Sequence, residues 1–188
     1  IRQAQHLAHS QGGQRVVDAV CSSKDLKEWK FETVLAANST GKVGTMWECP
    51  DFFPLGDKHV LICSPQNMKA EKYEFHNGNN SVYFLGNYDK NSHIFEKEEP
   101  HTIDYGLDFY APQTTLLPDG RRVMIAWMKS WDACVVPDTQ DWQGMMTLPR
   151  ELEVKDGQIW QQPVRELAQY HKNPCHYEHA EIDGGTAL

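Results

Sequence analysis

Short β-like runs recur along this chain with turn signals between them, and helical periodicity is almost absent. Alternate side chains of a strand face opposite ways, whereas an amphipathic helix repeats its apolar residues every three to four positions. Trp29 to Leu35 alternates in this way, with Trp29, Phe31, Thr33 and Leu35 on one face and Lys30 and Glu32 on the other. Gly56-Asp57, Pro118-Asp119-Gly120 and Asp156-Gly157 read as hairpin turns between strands over 46–64, 109–128 and 145–161. Further strands are predicted over 15–22, 81–88 and 93–98. Residues 1–13 read as a loop or frayed end, and 164–170 as a short helix or linker. The pattern predicts an all-β sandwich, barrel or propeller and does not choose among them.

Composition narrows the function classes. A net charge of −8 argues against nucleic-acid binding, which needs clustered Lys and Arg to neutralise phosphates. No apolar run approaches the length of a membrane span. Cys21, Cys49, Cys63, Cys134 and Cys175 are odd in number, irregular in spacing and contain no C-x-x-C. That pattern predicts free thiols in a reducing cytoplasm. His171, Cys175, His176 and His179 crowd together without a standard zinc spacing and read as a solvated linker. No phosphate-binding Gly-rich loop or His-Glu-x-x-His motif occurs, so no cofactor or metal is predicted.

The chemistry-bearing stretch is Met46-Trp47-Glu48-Cys49-Pro50-Asp51-Phe52-Phe53. An ionised carboxylate costs several kcal/mol to bury unpaired. A Glu among apolar neighbours therefore finds a cation or takes a raised pKa, and the latter suits a general acid near neutral pH. The alternative is a plain strand with Glu48 in solvent and Trp47 and Cys49 in the core. Glycoside hydrolysis uses two carboxyl groups, about 5 Å apart for retention. In a regular strand Asp51 lies about 10 Å from Glu48 on the opposite face. Asp108 could approach from another hairpin, with Asp104 a weaker choice.

Trp47-Glu48-Cys49-Pro50-Asp51 resembles the Glu-Cys motif of glycoside hydrolase family 32, the β-fructofuranosidases. Two later stretches agree in order: Asp108-Phe109-Tyr110-Ala111-Pro112-Gln113-Thr114, with Ala126-Trp127-Met128, and Met146-Thr147-Leu148-Pro149-Arg150-Glu151-Leu152, with Gln161-Gln162-Pro163-Val164-Arg165-Glu166-Leu167. The resemblance covers roughly residues 14 to 170.

The resemblance implies a five-bladed β-propeller, of which this chain supplies about three blades. It implies a partial propeller over residues 1–166, and a linker with the beginning of a C-terminal β-sandwich over 167–188. Glu48 becomes the general acid/base. Cys49, Asp108, Tyr110, Trp127 and Trp47 become substrate-binding residues; the alternatives are a buried free thiol for Cys49, strand packing with a satisfied polar tip for Asp108 and Tyr110, and core packing for the two tryptophans. The expected partner is a sucrose-type β-fructoside. The family's nucleophile and transition-state stabiliser belong to Asn-Asp-Pro-Asn-Gly-type and Arg-Asp-Pro motifs, and neither occurs in this sequence. The chain is therefore expected to be part of a longer enzyme, inactive alone and prone to self-association through its unclosed propeller. The competing expectation is a non-catalytic sugar-binding or assembly module derived from that family.

Overall fold

The computed structural model describes residues 2–9, 16–132, 139–176 and 178–179. Among the described residues twelve strands form three antiparallel sheets in chain order. The first holds β1 (Arg2–His9), β2 (Val16–Ser23) and β3 (Lys30–Ala37). The second runs β4 (Met46–Leu55), β5 (Lys58–Gln66), β6 (Val82–Asp89) and β7 (Ile94–Lys97), with β8 (His101–Thr102) also paired to β6. The third runs β9 (Tyr110–Leu116), β10 (Arg122–Trp127), β11 (Arg150–Lys155) and β12 (Gln158–Pro163). A short 3-10 helix, Arg165–Tyr170, follows. Each sheet is a meander of sequential neighbours, so the fold is all-β and reads as successive propeller blades. No described helix is long and apolar enough to cross a membrane.

The second sheet is sandwiched between the other two. Leu61, Cys63, Val82 and Phe84 pack with Val20, Leu35 and Ala36 of the first sheet. Their neighbours Val60, Ile62, Tyr83 and Leu85 pack with Met124, Ala126 and Leu152 of the third. A strand buried on both faces reads as a continuous apolar run, which is how His59-Val60-Leu61-Ile62-Cys63 appears.

Two expectations are corrected. Residues 2–9 form a strand paired to β2 in unbroken register, from Arg2↔Ser23 to His9↔Val16. The pairing comes from the neighbour rather than from any apolar pattern of the segment's own. Trp29, just before β3, and Phe31 within it are exposed, while Leu35 and Ala36 are buried. The strand lies at the sheet's outer edge, and register shifts at Asp18/Ala19 and Val20/Cys21 break its simple alternation.

Candidate active site

Strands β4 and β9 share an irregularity that shapes the site. Glu48 pairs with Ser64 and Asp51 with Ile62, so three steps on β4 match two on β5. Trp127 pairs with Tyr110 and Ile125 with Gln113, giving β9 the same extra residue against β10. An extra residue of this kind is a β-bulge, which bends the strand and re-aims its side chains. At each bulge a residue before proline has positive φ: Cys49 at 49° before Pro50, and Ala111 at 51° before Pro112. That conformation is unfavourable for a non-glycine residue, and proline supplies no ladder donor there. Glu48-Cys49-Pro50-Asp51 and Tyr110-Ala111-Pro112-Gln113 are thus one device used twice.

The bulge decides which way each side chain points. Trp47 belongs to the core on the first-sheet side, whereas Phe53 and Leu55 belong to the core on the third-sheet side. Without the extra residue all three would share a face, because the strand period is two. The same shift corrects the expectation that Asp51 faces away from Glu48. Both carboxylates meet β9: Glu48 through Tyr110 and Asp51 through Thr114.

The Tyr110 hydroxyl donates to Glu48 Oε2 at 2.7 Å, from a residue 62 positions away. Burial, and then the Glu48 carboxylate, push the Tyr110 phenol well above its ordinary range, so it stays protonated as a donor. Cys49 is exposed. Partial burial and the adjacent Glu48 raise its thiol. Gln113 Nε2 donates to the Cys49 carbonyl at 2.9 Å, tying the two bulges together.

The other predicted residues are placed differently. Trp47 is 1 % exposed, its ring 5.4 Å from Phe84, and its indole N–H donates to the Val43 carbonyl at 2.7 Å. It is not brought to the Glu48 cluster. Trp127 is half-buried and opposite Tyr110 in the ladder, with Trp131 edge-on at 5.4 Å. Gly144, at φ +69°, lies so close that a Cβ there would sit 2.5 Å from Trp127 Nε1. Asp108 is exposed in the loop before β9 and is not hydrogen-bonded to Glu48.

Among the described residues no second free carboxylate joins Glu48. Asp51 Oδ2 accepts from both the N–H and the hydroxyl of Thr114. Asp104 pairs with Arg150 at 2.6 Å. Glu151 is held by Arg165 and, more weakly, Arg121, which lower its carboxyl to about 2. Asp138 lies outside the described residues, as does Cys134. No group of three or more His, Cys, Asp or Glu among the described residues could hold a metal. Gln113, Ser64 and Ser81 were not singled out from the sequence. The one local signal is a polar serine at the end of the apolar run before Pro65.

The partial propeller thus presents a carboxylate, Glu48, and a protonated phenol, Tyr110, together at its bulged strands. The model of the glycosyl hydrolases family 32 N-terminal domain matches residues 6–163, and the chain belongs to that family. It is 45 % identical over 142 residues to the raffinose invertase of Escherichia coli, covering 76 % of this chain and 30 % of that protein. It is 42 % identical over 153 residues to a sucrose-6-phosphate hydrolase of Salmonella typhimurium, covering 78 % and 33 %. A Bombyx mori family 32 β-fructofuranosidase superposes with a TM-score of 0.81 at 28 % identity, over 92 % of this chain and 39 % of that one. The 188 residues thus span about a third of the curated relatives they match.

Proposed function

We propose that this chain carries the acid/base part of a β-fructofuranosidase that cleaves the terminal fructoside bond of sucrose-type substrates with retention. The hydrogen bond from Tyr110 to Glu48 Oε2, at 2.7 Å between two blades, carries the reading. Glu48 would protonate the leaving glycosidic oxygen. It would then take a proton from the water that releases the fructosyl group from the nucleophile. Tyr110 stays protonated and fixes one carboxylate oxygen, leaving Glu48 Oε1 for substrate. Cys49 and Trp127 would contact the sugar, and Asp108, in the loop before β9, would meet it once it is bound. The names of the relatives, a raffinose invertase and sucrose-6-phosphate hydrolases, support a sucrose-type substrate. So does a structure of the Bombyx mori enzyme's variant in complex with sucrose.

On this reading residues 1–166 form the propeller part, and 167–188 the linker and start of a sandwich. Met128, Trp131, Trp142, Met145, Met146 and Leu148, in the segments between β10 and β11, are exposed apolar side chains. So many exposed apolar side chains in one stretch of chain support self-association of the isolated chain. Free thiols at Cys21, Cys49, Cys63 and Cys175 fit a reducing cytoplasm.

The nucleophile is to come from a motif this sequence does not contain, so the chain alone is not expected to hydrolyse sucrose. The test is sucrose hydrolysis by the chain, alone and mixed with an N-terminal segment of a family member carrying both missing Asp residues. Activity only on mixing, lost in Glu48→Gln, is the expected result. Turnover by the chain alone that is lost in Glu48→Gln would instead put the nucleophile inside it. One observation favours a second reading, a non-catalytic sugar-binding module: the described carboxylates Asp51 and Asp104 are engaged elsewhere. Saturable sucrose binding with no activity in either condition would select it.

A further inference from the structure

Two buried hydroxyls lie behind Tyr110. Ser64 on β5 is 0 % exposed, and Ser81, just before β6, is 4 % exposed. A buried hydroxyl is costly unless it is hydrogen-bonded, and these two are bonded in a chain. The Ala111 N–H donates to Ser64 Oγ at 3.1 Å. Ser64 Oγ and Ser81 Oγ lie 3.3 Å apart. The Ser81 hydroxyl donates to the Phe109 carbonyl at 3.4 Å. Each hydroxyl has one proton. Because Ser81 gives its proton to Phe109, Ser64 must give its own to Ser81. The relay therefore runs one way, from the Ala111 N–H through Ser64 and Ser81 to the Phe109 carbonyl.

Phe109 and Ala111 are the two neighbours of Tyr110. We propose that Ser64 and Ser81 are positioning residues for Tyr110. They clamp the backbone on both sides of it, so that its hydroxyl stays on Glu48 Oε2. The backbone at this point needs such a hold: Ala111 sits at φ 51°, and Pro112 offers no N–H to the ladder. The second sheet also supplies a direct contact, since the Ser64 carbonyl lies 3.3 Å from the Tyr110 hydroxyl. Ser64 is moreover the ladder partner of Glu48. One residue thereby fixes the donor and the acceptor of the same hydrogen bond relative to each other.

The functional meaning of this clamp rests on the proposed role of Glu48, but its existence does not. The test therefore reads Tyr110 and not turnover. Tyrosine labelled with 13C at Cζ is incorporated into the chain, and the Tyr110 resonance is assigned by its loss in Tyr110→Phe. In the unaltered chain Tyr110 is expected to stay un-ionised where an ordinary phenol titrates, about pH 10. In Ser64→Ala and in Ser81→Ala its titration should fall towards that ordinary value. The buried Tyr83, whose phenol is also raised, should not follow. A Tyr110 that remains un-ionised in a folded serine variant overturns the proposal. Hydrogen exchange of the Ala111 amide in the unaltered chain gives an independent check should the variants fail to fold. Protection like that of the β9 ladder amides is expected, and fast exchange overturns the clamp. Failure of the mixing experiment would leave both measurements intact, so the two readings fail separately.

Discussion

Thr114 holds Asp51 Oδ2 with two donors, its backbone N–H at 2.8 Å and its hydroxyl at 2.6 Å. This joins the inner strands of two blades just beyond their bulges. Burial raises the Asp51 carboxyl above its ordinary range; the two Thr114 donors oppose that rise, and Arg122, its guanidinium 4.5 Å over the Phe53 ring, opposes it less. Replacing Thr114 by Val keeps the shape and removes one of the two donors. The expected loss is about 1.5–3 kcal/mol, the range for hydrogen bonds to a charged group, read as a lower urea midpoint. An unchanged midpoint would mean that the backbone N–H alone holds the contact.

Tyr110→Phe tests the link between the blades and the chemistry. A hydrogen bond to a charged group is worth about 1.5–3 kcal/mol. In the mixed, active preparation the expected loss of kcat is therefore about 10- to 100-fold. Glu48→Gln should cost more, about 100- to 10,000-fold, the range for removing a general acid/base. Equal losses in the two variants would show that Tyr110 does more than orient Glu48.

Much of this architecture can be read from the residues. The apolar runs at 59–63 and 82–85 announce strands buried on both faces, and the Gly-Asp and Asp-Gly turns mark the hairpins where they occur. The pairing of Arg2–His9 could not be read, because a strand recruited by its neighbour needs no apolar pattern of its own. The bulges were harder still. Pro50 invites one, but only its repetition at Pro112, with positive φ before each, shows that Glu48 and Tyr110 are aimed at one point. Beyond the polar Ser64 that ends an apolar run, the serine relay has no sequence signal, since it depends on two blades meeting across 28 and 47 residues of chain.

Thiol reactivity should report the local geometry. Cys63 is fully buried, and burial raises its thiol further. The thiolate is the reactive form, so Cys63 should resist alkylation until the chain unfolds. Cys49 is exposed, but partial burial and Glu48 hold its thiol up. It should therefore alkylate more slowly than exposed Cys175, as mass-spectrometric mapping of a time course would show. Faster alkylation at Cys49 than at Cys175 would contradict the placement of its sulfur beside the Glu48 carboxylate.

Asp18 gives the chain a pH dependence of its own. Its side chain lies on β2 at 1 % exposure, and among the described residues neither carboxyl oxygen has a hydrogen-bond partner. Burial raises its pKa from 3.8 to about 7. The folded chain therefore binds this proton more tightly than the unfolded chain does. Wherever the folded state holds more protons, stability falls as pH rises. The contribution is fully present below about pH 4 and is lost progressively up to about pH 7. A shift of this size corresponds to a loss on the order of 4 kcal/mol. Asp18→Asn keeps the size and cannot titrate, so its urea midpoint should vary less across that window and exceed that of the unaltered chain at pH 8. The check is a set of urea melts of both proteins between pH 4 and 8. Parallel curves would mean that Asp18 finds a partner in solution, and that its carboxylate enters the fold charged.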